Sequence, residues 1–390
     1  MKIIIAVDSF KGCLSSSEIA EIVSQGIIEQ LKIHSVQEKV EIKKIHIADG
    51  GEGTVDAFVN ITGGKFIKCQ SSGPLMERIN SKYGILGDKK TVIIDMASTC
   101  ALTMVEKEKR NPMNTTTFGM GEQIIDALNR GYRNFIIGLG GACTNDGGIG
   151  MLQALGYRFL DINNEILKNG EGGKQLGIIK DIDLKMVDMR LSQCQFIIAS
   201  DVTNPLYGKN GAAFTYAPQK GATPEMVIEL DNGLMNFANV IKEKLGTEIS
   251  EIPGSGAAGG IGGGIMGFLN GKINSGIELI LSYSSYENEL KTADLVITGE
   301  GKIDKQTLNG KAPYIITKKA NACGIPVIGI CGKNELLRND IGMDSIIEIS
   351  NPNLSLEYNI SCARRYLKIA SLKIGEIVLN MKKTREGVEI

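Results

Sequence analysis

Asp49-Gly50-Gly51-Glu52-Gly53, Asp146-Gly147-Gly148 and Gly299-Glu300-Gly301-Lys302-Ile303-Asp304 each set carboxylates among glycines shortly after an apolar run. An ordinary turn needs one Gly or Asp to reverse the chain. Acids repeated among glycines fit a site that holds a metal ion and lets backbone N–H groups approach phosphate oxygens. Mg2+ takes only one or two carboxylates, the rest of its shell coming from water and substrate oxygens. Asp49, Glu52 and Glu300 are the candidate metal ligands, and the combination points toward phosphoryl transfer.

Other segments add to this chemistry. In Asp8-Ser9-Phe10-Lys11-Gly12, Lys11 could neutralise a transferring phosphate, and Asp8 could serve as base or metal ligand. The run 138–148 almost lacks bulky side chains, so Gly140, Gly141, Asp146 and Gly147 read as a phosphate cradle. The alternative there is close helix–strand packing permitted by glycine. Asp201 follows an apolar strand and precedes Thr203-Asn204-Pro205, a further strand-end acid and candidate catalytic group, with an Asx turn before proline as the alternative. Gly254-Ser255-Gly256-Ala257-Ala258-Gly259 matches G-x-G-x-x-G, with Gly256 and Gly259 as candidate cofactor glycines. The strand before it is short and ends in Pro253, and only Glu278 stands near the expected ribose acid. A glycine-lined helix start that binds ATP phosphates fits better, with tight helix packing as the alternative. Lys302 and Asp304 complete the set as a cofactor cation and a substrate or base group.

The elements that must position these residues follow from apolar periodicity. Lys2–Val7 reads as a buried parallel strand, and Ser15-x-x-Glu18 caps a helix whose stripe is Ile19, Ile22, Val23 and Ile27. A strand over 40–48 and a short helix over 54–59 continue a β-α-β-α pattern, the start of a doubly wound sheet. Strands at 65–69, 79–86 and 91–96 are too close for crossover helices and predict antiparallel pairing. Helix and strand then alternate through 119–129, 135–139, 147–155, 196–199 and 224–245. The last units are 294–298, 311–322, 327–330, 345–349 and a helix over 358–381. This predicts an α/β fold: a doubly wound, mostly parallel Rossmann- or flavodoxin-like sheet with a second, mixed α/β domain inserted. The expected core is 1–62, 106–150 and 285–390, and the expected insert is 63–105 and 151–284.

Composition narrows the function. Of 390 residues 48 are glycine, about 12% against roughly 7% on average. The net charge is −1, from 43 basic and 44 acidic residues, so no global field favours nucleic acid or an anionic membrane. There is no Trp, and no basic stripe interleaves with aromatics. The eight cysteines show no C-x-x-C spacing, and a chain this long needs no disulfide staples, so a reduced cytoplasmic protein is expected. Ile3–Val7 is cut short by Asp8 and is neither signal peptide nor span. No Gly-Lys pair precedes Ser or Thr, which excludes a Walker A loop. The two histidines, His34 and His46, lie away from strand-end loops and give no zinc spacing or hydrolase triad.

Taken in order, DSFKG (8–12), ADGGEGT (48–54), GLGGACTNDGG (138–148), DVTNPLYG (201–208), APQKGA (217–222), PGSGAAGG (253–260) and TGEGKIDKQTLNGK (298–311) resemble the bacterial-type glycerate kinase family. The likeness spans nearly the whole chain. Cys13 and Ala142-Cys143 depart from the usual residues, and the acids and lysines are intact. The resemblance implies ATP- and Mg2+-dependent phosphorylation of D-glycerate in a cleft between two α/β domains, leaning to the 2-hydroxyl. It places the family's acids on Asp8, Asp49, Glu52, Asp146, Asp201, Glu300 and Asp304. Within it, Asp201 or Asp8 would deprotonate the glycerate hydroxyl, Lys11 would meet the carboxylate or the γ-phosphate, and Ser9, Lys11 and Asp304 would bind substrate. The expected partner is the small molecule alone, with no nucleic acid or membrane, on a monomer or homodimer. Two other readings fit parts of the sequence: an NAD(P)-dependent dehydrogenase of a small hydroxy acid, resting on 254–259, and a non-catalytic glycerate or nucleotide sensor.

Overall fold

A computed structural model describes residues 1–10, 12–34, 40–45, 47 and 53–385, with side chains to 382. Lys11, Asp49 and Glu52 therefore lie outside the described residues, as does His46. In chain order the strands are β1 (Lys2–Val7), β2 (Glu41–Lys44), β3 (Lys65–Ser72), β4 (Arg78–Ile85), β5 (Thr91–Asp95), β6 (Asn134–Gly138), β7 (Arg158–Leu160), β8 (Asp181–Asp183), β9 (Gln195–Ala199), β10 (Lys272–Asn274), β11 (Leu295–Ile303), β12 (Val327–Asn334) and β13 (Ser345–Glu348). The chain forms two compact units, 1–49 with 277–390, and 50–276.

The first unit is built on Ile3-Ile4-Ile5, fully buried as a strand covered on both faces must be. Its sheet runs β13-β12-β11-β1-β2, and every pairing is parallel. Counted within the unit, that order is the flavodoxin-like 2-1-3-4-5, whose switch point lies between β1 and β11. Ligands bind outside the carboxyl ends of the strands at such a point, because the connections leave it in opposite directions and open a crevice. Helix Ser16–Ile33, with the expected Ser15–Glu18 capping box, shares one apolar core with the sheet and the terminal helix Leu356–Arg385 through Ile19, Val23, Leu367 and Ile374.

β11 is longer than the sequence suggests. Gly299, Glu300 and Lys302 do not form a turn; they continue the strand, with Glu300 opposite Cys331 and Lys302 opposite Lys333. Glycine is required at 299 because a Cβ there would lie 1.8 Å from the Ile330 carbonyl oxygen.

The second unit carries a six-stranded sheet, β10-β9-β6-β5-β4-β3. β3, β4 and β5 pair antiparallel as expected, but β5 also pairs parallel with β6, from Thr91–Asn134 to Asp95–Gly138. This grouping differs from the expected one: segments 53–62 and 106–150 belong with the second sheet and leave no separate insert at 63–105. The physical reason is that all five residues of β5 are buried, so the strand lies inside a sheet and takes a neighbour on each edge. The carboxyl ends of β5, β6, β9 and β10 then carry Asp95, the 139–148 loop, Asp201 and Ser275. Among the described residues no helix is long and apolar enough to cross a membrane, and all eight cysteines are unpaired thiols.

Candidate active site

At the switch point of the first sheet lies a pocket of about 830 Å³, within the size range of small-molecule sites. Its lining is of two kinds. Strand ends and the helix start beyond them supply Asp8, Glu300, Lys302, Lys311, Lys333 and Glu348, while Phe10, Leu354, Leu356, Ile360 and Ala363 supply an apolar surface. Asp8 and Glu300 directly follow the paired residues Val7 and Gly299, so strand register alone brings these two acids to neighbouring positions. The Asp8 backbone N–H donates to the Gly299 carbonyl at 2.9 Å, and Ser9 N–H donates to Asp8 Oδ1 at 2.7 Å.

Glu300, like Asp8, is a buried acid of this pocket. Thr307 Oγ1 donates to its Oε1 at 2.6 Å, and Lys311 Nζ stands 3.4 Å from Oε2. Burial raises its pKa above the ordinary carboxylate value, against the lowering pull of Thr307 and Lys311. Lys311 immediately precedes helix Ala312–Ala322, so its charge and the positive end of the helix dipole favour the same anion. Lys302 is shared between Asp304 Oδ2 at 3.2 Å and Glu335 Oε2 at 3.0 Å. Asp304 also accepts from Gln306 N–H at 2.8 Å, which fixes the turn after β11.

The described residues contain no group of three or more His, Cys, Asp or Glu side chains suited to a metal. Mg2+ asks for less, and two carboxylates at adjacent strand ends beside a cationic anion site fit its donor preference. Asp8 and Glu300 meet that requirement.

In the second unit Asp146 does something other than bind a cofactor. It is fully buried. Its Oδ2 accepts from Thr117 N–H at 2.8 Å, Thr117 Oγ1 at 2.9 Å and Gly150 N–H at 3.3 Å, and its Oδ1 from Gly148 N–H at 3.1 Å. The carboxylate ties the starts of helices Phe118–Asn129 and Ile149–Ala154 together. Glycines 147, 256 and 259 likewise admit protein rather than phosphate. A Cβ would meet the Phe237 ring at 3.0 Å from Gly147, the Pro205 carbonyl oxygen at 2.1 Å from Gly256, and the Thr144 carbonyl oxygen at 2.2 Å from Gly259. This removes the structural basis for a dinucleotide fingerprint at 254–259: the segment before it is turn, not strand. Gly141 is different, with φ +75° and no atom within 4 Å of the Cβ position; Gly140 beside it is partly exposed. Asp201 sits at the carboxyl end of β9, where its Oδ1 accepts from Gly276 N–H at 3.1 Å.

Three groups carry signals that residue type alone does not give. Asp95, read as strand, ends β5 with 6% exposure; burial lifts its pKa to about 6 against the pull of the Val55 and Ser98 N–H groups. Lys220 is 3% exposed and its Nζ donates to the Thr144 carbonyl at 2.6 Å. Beside it, Thr144 Oγ1 and both polar side-chain atoms of Asn145 are buried without a hydrogen-bond partner. An orphaned buried hydroxyl costs about 1–3 kcal/mol. Thr144→Val is therefore expected to raise stability by about 1 kcal/mol, read as a higher thermal midpoint; a loss of that size would show that the hydroxyl has a partner in solution.

Burial lowers the Lys220 pKa from 10.5 to about 8. The folded value lies below the unfolded one, so the full penalty of burying the ammonium holds below about pH 8. Between there and 10.5 the unfolded chain binds the extra proton, and stability rises with pH. In Lys220→Met that rise disappears. The stability difference, variant minus wild type, is expected to fall by roughly 3 kcal/mol across this window, measured by urea unfolding at stepped pH. A flat difference would mean that the lysine is solvated in the native protein.

Comparison with known proteins gives one answer. The glycerate kinase family profile matches residues 3–379. A protein described as glycerate 2-kinase from Escherichia coli (strain K12) is 45% identical over 344 residues, covering 88% of this chain and 87% of its own. A glycerate kinase from Bacillus cereus is 41% identical over 380 residues, covering 97% and 98%. The crystal structure described as glycerate kinase 2 from Salmonella typhimurium LT2 superposes with a TM-score of 0.83 at 39% identity, over 98% of this chain and 99% of that one. With a match running almost from end to end and a switch-point pocket lined by acids and lysines, the chain belongs to the glycerate kinase family and is a kinase.

Proposed function

We propose that the protein transfers the γ-phosphoryl group of ATP to the 2-hydroxyl of D-glycerate, with the nucleotide in the first unit's switch-point pocket. The observation that carries this reading is the two-fold lining of that pocket: acids and lysines at strand ends, an apolar surface from the loop and helix that follow β13. Phosphoryl transfer asks the protein mainly to position reactants and to neutralise charge. Lys311 and the helix start behind it neutralise phosphate oxygens, and Lys302 adds a second cation held in place by Asp304 and Glu335. Asp8 and Glu300 would hold Mg2+, which would supply positive charge against the phosphate oxygens. Asp49 and Glu52 join them as proposed ligands from the sequence. Asp201 is the proposed base that orients or deprotonates the substrate hydroxyl, with Lys11 and Ser9 toward the substrate or the transferring phosphate. The 2-hydroxyl is favoured because the Escherichia coli relative is described as a 2-kinase.

A coupled assay tests the whole reading. ATP, Mg2+ and D-glycerate are supplied, and product is detected through enolase with and without phosphoglycerate mutase. Signal independent of the mutase identifies the 2-product, and signal that requires it identifies the 3-product and overturns the regiochemistry. No ADP release at all would leave a ligand sensor as the better description.

A further inference from the structure

We infer that Thr307 is a positioning residue for the phosphoryl transfer: its hydroxyl, more than the ion pair with Lys311, fixes the orientation in which the Glu300 carboxylate faces the pocket. The inference rests on the reading that Glu300 takes part in the chemistry. Thr307 is fully buried, so it acts on a bound ligand only through a neighbour.

The direction of its hydrogen bonds follows from a count of protons. A hydroxyl has one proton to donate and two lone pairs with which to accept. A backbone N–H only donates, so where Asp304 N–H meets Thr307 Oγ1 at 3.0 Å the oxygen must accept. An ionised carboxylate only accepts. The single proton of Thr307 therefore goes to Glu300 Oε1, 2.6 Å away. That distance lies in the range of charge-assisted O–H···O− bonds, about 2.5–2.7 Å.

The ion pair is the weaker constraint. Lys311 Nζ stands 3.4 Å from Glu300 Oε2, and the lysine side chain is 40% exposed. An ammonium on a flexible stem attracts a carboxylate without selecting its orientation. Thr307 instead starts from a fixed backbone. Its N–H donates to the Asp304 carbonyl at 2.9 Å, and its own carbonyl accepts from Lys311 N–H at 3.2 Å. Asp304 Oδ2 in turn lies 3.2 Å from Lys302 Nζ. One turn thus ties together Glu300, Lys302 and Lys311, the charged side chains that this stretch of chain contributes to the pocket.

The test compares Thr307→Val, which keeps the side chain's shape without the hydroxyl, with Thr307→Ser, which keeps the hydroxyl. Both are assayed with ATP, Mg2+ and D-glycerate, and Thr307→Val is also combined with Glu300→Gln. Hydrogen-bond partners that orient a functional side chain are worth about 10–100-fold, and Thr307→Val is expected to lower kcat by about that factor with little change in KM for D-glycerate. Thr307→Ser should stay within about twofold of wild type, and Thr307→Val should cost no more than about twofold once Glu300 is glutamine. A crystal structure of Thr307→Val should show the Glu300 carboxylate in another rotamer. If the valine variant does not fold, Thr307→Ala against Thr307→Ser repeats the comparison. Full activity in Thr307→Val, equal losses in the valine and serine variants, a loss undiminished by Glu300→Gln, or an unmoved carboxylate each overturn the inference and leave the role of Glu300 intact. Wild-type kcat in Glu300→Gln alone removes Glu300 from the chemistry and takes the inference with it.

Discussion

Glu300→Gln is expected to lower kcat by about 10²–10³-fold in a protein that stays folded. Glutamine keeps the shape of the side chain and an oxygen to accept from Thr307, but it carries no charge toward Lys311 or a metal ion. The stability side works in favour of the variant. Burial holds the folded Glu300 pKa above its ordinary value, so whatever stability the group contributes is present at low pH and lost as pH rises through the folded pKa. A neutral amide escapes that loss, and Glu300→Gln should be no less stable than wild type near pH 7. Loss of activity without loss of stability separates a chemical role from a structural one. Two further readouts sharpen it: the Mg2+ concentration for half-maximal rate should rise at least about tenfold, and the acid limb of the wild-type pH–rate profile should flatten. A variant with kcat within threefold of wild type would take Glu300 out of the chemistry.

The acids of this site are legible in the sequence, but what each does depends on contacts far along the chain. Lys2–Val7 and the Ser15–Glu18 box follow from local pattern, and both stand as expected. Gly299-Glu300-Gly301 reads as a turn because two glycines flank an acid. It is strand because β12 runs so close that only glycine fits opposite Ile330. Nothing local marks that approach, since the partner lies about thirty residues away. The same limit applies to the domain grouping, where β5 and β6 are separated by a long connection and only their pairing shows that one sheet contains both. Asp146 is the sharpest instance. Its setting between glycines looks like a cradle, yet four donors and complete burial make it an internal tie. Lys220 carries the converse lesson, since a lysine after Pro218-Gln219 reads as a surface charge until its burial is seen.

Gly259→Ala is expected to destabilise the protein by about 3–5 kcal/mol, the range reserved for changes that force packed elements apart. Ala258, Gly259 and Gly260 form an unbroken left-handed run, with φ of 52°, 77° and 92°. Placing an L side chain in that conformation costs roughly 1–2 kcal/mol. The remainder comes from contact. The new Cβ would lie 2.2 Å from the Thr144 carbonyl oxygen and 2.6 Å from the Asn145 Cα, and both are backbone atoms that cannot rotate aside. Nor can the loop retreat at small cost. Gly147 N–H donates to the Gly259 carbonyl at 3.0 Å, and Lys220 grips Thr144 O from another direction. Gly141→Ala supplies the control, because that residue has a similar φ of 75° and nothing near its Cβ position. It should lose about 1–2 kcal/mol, the conformational cost alone. The difference in urea midpoint between the two variants therefore isolates the close approach of the 257–260 turn to the 144–147 loop. Equal losses would mean that the two segments separate freely, and that the glycines at 254–264 are not there for packing.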